Sequence, residues 1–509
     1  MSDTFTSSTS QTTTNEALPL EKGIKREMTP RHIGMISIGG TIGTGLFVAS
    51  GGTIATAGPA GALIAYAFIG FTVFCIMTCL GKMSTLLPIS IQSLCVELAA
   101  AGLIIQYWQT PVPTYVWALI ILLVIIVFNM FGGNGYGETE YWLSLIKIIT
   151  VLVFIIVGIL VAAGAVGGHT YGFENWREPG AFVTEGDYGN AFANLLSVCL
   201  TVGYAYQGTE MVGIVAGETK NPHKSVPRAI RNVFWRILLF FLCSIFLIGL
   251  IIPSTDGNLL DASEDNIAIA PFSIVFQRAN LPSAADVMNA ILLTVLISAS
   301  NSALYCGSRT MMAMAREGKA PRIFAWVNKW GVPVPAILVT ASFGLIATAA
   351  ATYSAEEVFA WVLGMASVTG FFSWSGICWT HLRFRRAYVA QGRDVRDLPY
   401  RAWAYPFAPI FGGTVTALIG VTCGFYAFTP VWDTKAFFQN YINLIFLIVI
   451  FVAYKIYYRT SLVPLKDCDF ETGARWAPSV ENVEAEDIEA KKKKTIPMRL
   501  WNGVKTLIA

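Results

Sequence analysis

Twelve runs of about 20 apolar residues, the length that crosses a bilayer as a helix, constrain this chain more than any other feature. They fall at roughly 33–57, 61–87, 91–108, 113–131, 141–166, 190–217, 229–253, 285–314, 334–352, 357–382, 404–428 and 437–458. Only 13% of the 509 residues are charged, about half the share of a soluble domain. A chain this poor in charge could not cover its own surface in water, and in lipid it does not need to. The pattern predicts an all-α polytopic membrane protein with its charges between spans and at the two ends.

The placement of Lys and Arg predicts the orientation. With the amino terminus inside, one face collects Lys220, Lys224, Arg228 and Arg231; Arg309, Arg316, Lys319 and Arg322; and Arg383, Arg385, Arg386, Arg393, Arg396 and Arg401. The loops 168–189 and 254–284 on the other face hold one Arg each, Arg177 and Arg278, with several acids. This alternation places both termini in the cytoplasm. Residues 1–30 and 461–509 read as solvated tails around a transmembrane domain at 31–460, the second tail ending in a Lys491–Lys494 run that could touch anionic lipid. The Ser/Thr-rich start lacks the layout of a cleaved leader, so the first apolar run is expected to stay in the protein.

Some spans are wrong for plain anchors. Span one contains Gly39-Gly40-Thr41-Ile42-Gly43-Thr44-Gly45. Such a run either packs helices closely through Gly39-xxx-Gly43 or unwinds, which is tolerated at that depth only against protein or a water-filled cavity. Unwound, its N–H groups would suit a carboxylate. Span six carries Gly203-Tyr204-Ala205-Tyr206-Gln207-Gly208-Thr209-Glu210 in an otherwise apolar run. Two interrupted spans five apart form the pattern of an inverted-repeat transporter whose site lies between broken helices. Glu97, Lys147 and Glu210 sit at membrane depth and each should face the interior with a partner. For Lys147 a proton-carrying role and a fixed ion pair both remain open. Glu218 reads as an interfacial residue pairing with Lys220 or Arg228. The cysteines Cys75, Cys79, Cys95, Cys199, Cys243, Cys306 and Cys378 lie within apolar runs without metal-ligand spacing and read as packing residues. No nucleophile–base pair, cofactor motif or metal cluster is apparent, and a net charge of +3 gives no footprint for nucleic acid. The expectation is no enzyme, no cofactor and no metal.

The motifs resemble the amino acid–polyamine–organocation superfamily, and within it the fungal amino acid permeases, lysine/arginine permease-like, and the bacterial lysine permeases. The carrying stretches are Gly39 to Phe47, Gly137-Glu-Thr-Glu-Tyr-Trp-Leu-Ser-Leu-Ile-Lys147, Gln207-Gly-Thr-Glu210, Gly217-Glu with Asn221-Pro and Val226-Pro-Arg228, Gly331-Val-Pro333, and Asp397-Leu-Pro-Tyr400, in consistent order over 30–460. The resemblance implies a LeuT-type fold, two inverted five-helix repeats plus two further helices. It implies that a substrate amino acid rests its carboxylate on Thr41, Ile42, Gly43, Thr44 and Gly45. Its amino group would then meet span six, where Tyr204, Tyr206, Gln207, Gly208, Thr209 and Glu210 complete the substrate-binding set. Lys147 matches the family's fifth-span lysine, for which proton coupling has been proposed. Glu97 matches the acidic position of the lysine and arginine carriers and, with Ser367, is taken as setting specificity.

The implied function is proton-coupled import of cationic amino acids at the plasma membrane, with an amino acid, a proton and membrane lipid as partners. The alternatives are a neutral or broad-range permease, an amino acid sensor without net transport (for which residues 459–509 are short), and a non-functional variant. Two departures limit the inference, the first bearing on specificity and the second on the non-functional variant. Span ten, Trp361-Val-Leu-Gly-Met-Ala-Ser-Val-Thr-Gly370, differs from the cationic carriers. Between Ser90 and Ile91, relatives carry roughly thirty more residues, more than the ~20 of one span. Either a coding segment is missing, the favoured reading, or the chain has a truncated third helix.

Overall fold

The computed structural model describes residues 30–80, 89–184, 190–215, 238–260, 270–395, 404–422, 424–428 and 432–470. Residues 1–29 and 471–509 of the two tails, the loop from Glu218 through Arg231 and the Asp397–Tyr400 stretch lie outside the described residues. Among the described residues, each of the twelve apolar runs contains helix. Among the described residues five helices are long and apolar enough to cross a membrane: Ser50–Leu80, Gly135–Ala162, Ser283–Arg316, Glu357–Ala390 and Thr434–Tyr458. Shorter apolar helices occupy Ser93–Gln106, Thr114–Asn129, Leu238–Ile251, Val334–Ala349 and Phe407–Thr422. Spans one and six are each assembled from two pieces, Pro30–Gly39 with Thr44–Phe47 and Ala191–Tyr206 with Met211–Val215.

The differences from the expected boundaries have physical causes. Span five begins at Gly132 rather than 141, because its first two turns are helical but polar. Glu140 within them is fully buried, facing protein instead of lipid. Span ten runs from Ala355 to Ala390, its basic Arg383, Arg385 and Arg386 continuing the helix beyond the apolar stretch. The third span, Ile89–Gln106, has 18 residues, so its helix passes through the Ser90–Ile91 junction. At 1.5 Å per residue it is about 27 Å long, just short of the ~30 Å hydrocarbon core.

The long segment 254–284, read above as a plain loop, is built into the protein. It contains an eight-residue helix, Pro271–Arg278, started by Pro271 at its first turn. Phe272 on that helix packs on Phe47 at 4.6 Å and on Phe154 at 3.9 Å between ring centres, closing one end of span one. Arg278 is not a free loop cation, since it pairs with Asp256 and donates to the Ile251 carbonyl. At the lipid side the last helix is mostly exposed, with Phe446, Ile450, Phe451 and Ile456 more than half accessible. In a bilayer that face needs no partner. Its final turns carry Tyr454, Lys455, Tyr457 and Tyr458, the residue types that settle at a headgroup interface.

Spans one and two turn into each other at Gly58, whose φ of 76° and ψ of 168° are open only to glycine. The corner is pinned from outside: the Ala60 N–H donates to the Ala181 carbonyl at 2.9 Å. A Cβ at Gly58 would lie 2.7 Å from that carbonyl oxygen. Gly58→Ala is therefore expected to destabilise the protein by about 1–3 kcal/mol, read as a lower thermal midpoint in detergent; an unchanged midpoint would show that the corner relaxes freely.

Candidate functional site

The two broken spans meet. Gly208 adopts φ of +99°, and a Cβ there would stand 2.4 Å from the Gly40 carbonyl oxygen, so backbone approaches backbone with no room for a side chain. On span one the first half-helix ends at Gly39, and Gly43 is extended (φ −145°, ψ −150°) before the chain coils again at Thr44. On span six the helix ends at Tyr206, Gln207 is extended, and coiling resumes at Met211. The glycine run thus unwinds over Gly40–Gly43 and also packs closely, since a Cβ would lie 1.8 Å from the Ser144 Oγ at Gly39 and 2.3 Å from the Ala205 Cα at Gly45.

A small cavity of ≈ 20 Å³ lies between the breaks, lined by Gly40, Thr41, Gly43, Gly45, Ser93, Glu97, Tyr204, Gln207, Gly208, Met211, Ala299 and Ala303. That is room for one or two waters, so anything larger enters only as the walls part. Glu97, 5% exposed, crosses this space. Its carboxylate accepts from the Thr44 hydroxyl of span one at 2.6 Å and from the Tyr204 hydroxyl of span six at 3.1 Å. One buried carboxylate on the third span therefore ties both breaks together.

Lys147 reaches span one from span five. It is fully buried, and its Nζ donates to the Gly39 carbonyl at 2.5 Å, at the end of the first half-helix. A cation there meets the carbonyls that a helix end leaves unpaired. Its carboxylate partner is Glu140, at 3.8 Å, which in turn accepts from Ser298 at 2.7 Å and Ser144 at 3.4 Å. Glu140 was not singled out above, although its spacing from Lys147 was available: seven residues are two helical turns, which put both groups on one face.

Other expected site residues sit elsewhere. Tyr206 is buried away from the cavity, its hydroxyl donating to the Tyr66 carbonyl at 3.0 Å and its ring packed on Phe241. Glu210 turns back onto its own loop, accepting from the Gly208 N–H at 3.2 Å, and from Trp374 of span ten at 3.3 Å. It supplies an acceptor to a break that has lost its helical one. Thr209 donates to the Tyr206 carbonyl at 3.2 Å, and Ile42 is fully buried. Ser367 spends its hydroxyl on the Leu363 carbonyl, while its own carbonyl receives the Gln207 amide. The cavity brings together Thr41, Gly43, Gly45, Tyr204, Gln207, Gly208 and Glu97, with Thr44 bonded to Glu97. Ser93, Met211 and Ala299 join them without any sequence signal, since small or apolar residues on a span look alike whether they face lipid or a cavity.

Hydrogen bonds to a buried carboxylate contribute about 1.5–3 kcal/mol each. Thr44→Val and Tyr204→Phe are expected to lower stability within that range, with Thr44→Val the larger because its bond is shorter, and both losses should shrink in a Glu97→Gln background. Thermal midpoints of the singles and doubles check this; strict additivity would mean that Glu97 does not join the two spans.

The chain matches the amino acid permease family over residues 32–93 and 89–466, the two segments meeting where Ser90 joins Ile91. It is 40% identical over 492 residues to the lysine-specific permease LysP of Escherichia coli (strain K12), covering 91% of this chain and 98% of that protein. It is 35% identical over 520 residues to the general amino-acid permease GAP1 of Saccharomyces cerevisiae, covering 94% and 85%. Its fold is similar to the crystal structure of the manganese transporter of Eremococcus coleocola, with a TM-score of 0.51 at 11% identity over 86% of this chain and 98% of that one. Broken spans, apolar helices and family match converge: this integral membrane protein, of LeuT-type fold, belongs to the amino acid permease family of the amino acid–polyamine–organocation superfamily.

Proposed function

We propose that this protein imports cationic amino acids, lysine or arginine, by proton-coupled symport at the plasma membrane, with both termini cytoplasmic. The observation that carries the reading is the Glu97 carboxylate in the cavity between the two broken spans, hydrogen-bonded to Thr44 and Tyr204. A buried carboxylate favours a cationic ligand, because a neutral one leaves the buried charge without a counter-ion. The lysine-specific relative from Escherichia coli supports the same substrate class.

The substrate's own carboxylate is assigned to the backbone N–H groups over Thr41 to Gly45, and its α-ammonium to carbonyls beside Gln207 and Gly208. Lys147 is the coupling group in this reading. It holds the end of the first half of span one through Gly39 and faces Glu140, so a change in its protonation would alter what anchors the moving half-helix. Alternating access then consists of the walls around the cavity opening to one side and closing to the other.

A broad-range permease is the second reading, favoured by the 35% identity to a general amino-acid permease. Competition separates the two, because neutral amino acids in excess should leave lysine uptake intact if the cationic reading holds. In cells or proteoliposomes, radiolabelled lysine uptake is expected to rise as external pH falls. Lys147→Ala should lower it about tenfold or more, equivalent to about 1.4 kcal/mol, and flatten the pH dependence. Uptake of that variant with an unchanged pH profile would remove Lys147 from coupling.

A further inference from the structure

Glu140 holds a carboxylate oxygen for which the described residues provide no partner. The residue is fully buried on span five. Its Oε1 accepts from Ser298 of span eight at 2.7 Å and lies 3.8 Å from the Lys147 Nζ. Its Oε2 is buried without a hydrogen bond. A bare carboxylate oxygen away from water is costly, and an unpaired buried polar group in a natural protein calls for a reason. A proton is the smallest group that completes it, since a protonated carboxyl donates as well as accepts.

The surroundings extend this site in one direction. Lys147, Glu140 and Tyr136 are spaced by seven and four residues, so they share one face of span five. Span eight presents Ser298, Ser302, Tyr305 and Arg309 at spacings of four, three and four, also on one face. The two faces meet: Ser302 neighbours the Glu140 carboxyl without bonding Oε2, and accepts from the Tyr136 hydroxyl at 2.8 Å. Tyr136 stacks on Tyr305 with ring centres 3.7 Å apart, and the Arg309 guanidinium lies 3.8 Å over that second ring. Hydroxyls turn, so each can accept from one side and donate to the other. The line runs from the middle of span five toward its first residues, the end placed in the cytoplasm above.

The titratable and charged groups around Glu140 come from several elements. Its own span gives Lys147 and Tyr136, and span eight gives Tyr305, Cys306 and Arg309 beyond the serines. Span one presents the Gly39 backbone and, nearer the cytoplasmic end, His32, which is bonded to Glu138. Glu97 of span three acts electrostatically on Lys147. The helix Pro271–Arg278 packs on span five at Phe154, and its Arg278 is paired with Asp256.

We infer that Glu140 is the proton acceptor of Lys147, and that Ser302 and Tyr136 lead the proton onward to the cytoplasmic end of span five. This rests on the proton-coupled reading of Lys147 above and names the group that takes the proton from it. In the step, an N–H bond of the Lys147 ammonium breaks and an O–H bond forms on Glu140. The ion pair becomes a neutral amine and a carboxylic acid. Release to the Ser302 and Tyr136 hydroxyls restores the carboxylate beside a neutral amine, the state that takes the next proton. Nζ also donates to the Gly39 carbonyl, and a neutral amine holds a carbonyl less firmly than an ammonium does. The handover therefore loosens the end of the first half of span one, which joins proton release to the broken helix.

The test uses purified full-length protein in proteoliposomes that enclose a pH-sensitive dye. The readouts are lysine uptake driven by an imposed pH gradient (acid outside), lysine–lysine exchange without a gradient, and protons entering per lysine. Wild type should carry protons in with lysine. Glu140→Gln keeps the size of the side chain and removes its titration. It should lower gradient-driven uptake about tenfold or more relative to exchange, with fewer protons entering per lysine. Tyr136→Phe, which removes one hydroxyl and keeps the ring stack, should move the ratio of uptake to exchange the same way by a smaller factor. Equal loss of uptake and exchange in Glu140→Gln overturns the inference, because a fixed counter-ion would behave so. An unchanged number of protons per lysine in that variant overturns it too. Should Glu140→Gln fail to fold, an unchanged ratio of uptake to exchange in Tyr136→Phe overturns it alone. Wild type that moves lysine without protons would instead remove the coupled reading beneath it.

Discussion

Backbone polar groups in hydrocarbon must be paired within the protein, and the architecture depends on that constraint. A span may unwind only where something replaces its lost hydrogen bonds. Here each break is supplied from its own surroundings. Span one ends on the Lys147 ammonium, and the Thr44 side chain finds Glu97. Span six bends Glu210 back to the Gly208 N–H and sends the Gln207 amide to span ten. The two breaks also press against each other at Gly40 and Gly208, so each shields the other from lipid. Irregular backbone in one place would be a cost; in two facing places it encloses a polar cavity.

The ionisable groups follow from the same economy of partners. Glu97, Glu140 and Lys147 are all nearly or fully buried; Glu97 is held by two hydroxyls, while Glu140 and Lys147 are held by hydroxyls or a carbonyl besides each other. Removing one member of such a set strands the others, which is why buried pairs are costly to break even where they contribute little net stability. They lie on different spans, Glu97 on the third and Lys147 with Glu140 on the fifth, and both sets grip span one. A ligand or proton that alters either set therefore acts on the same broken helix.

Much of this was legible in the chain. Span positions followed from runs of apolar residues, and the breaks from glycines and polar residues placed where a helix should be uniform. What stayed hidden was direction. Tyr204 and Tyr206 are two residues apart and read alike, yet one faces Glu97 and the other packs on Phe241, because both lie on the helix Ala191–Tyr206, where residues two apart point about 200° from each other round the axis. Glu140 escaped notice for a different reason: it falls in the polar opening of span five, which an apolar-run criterion assigns to a loop. The helix Pro271–Arg278 is too short to register as a span, and its buried Phe272 is visible only once Phe47 and Phe154 are brought to it. The Ser90–Ile91 junction was legible as an anomaly, and the family match divides at the same place.

The central claim is that the two breaks form the substrate site. A structure determined with lysine bound tests it most directly. Ligand density is expected between spans one and six, with the α-carboxylate against the backbone of Thr41 to Gly45 and the side-chain ammonium toward Glu97. Lysine bound elsewhere, with Glu97 still joined to Thr44 and Tyr204 as it is here, would contradict it.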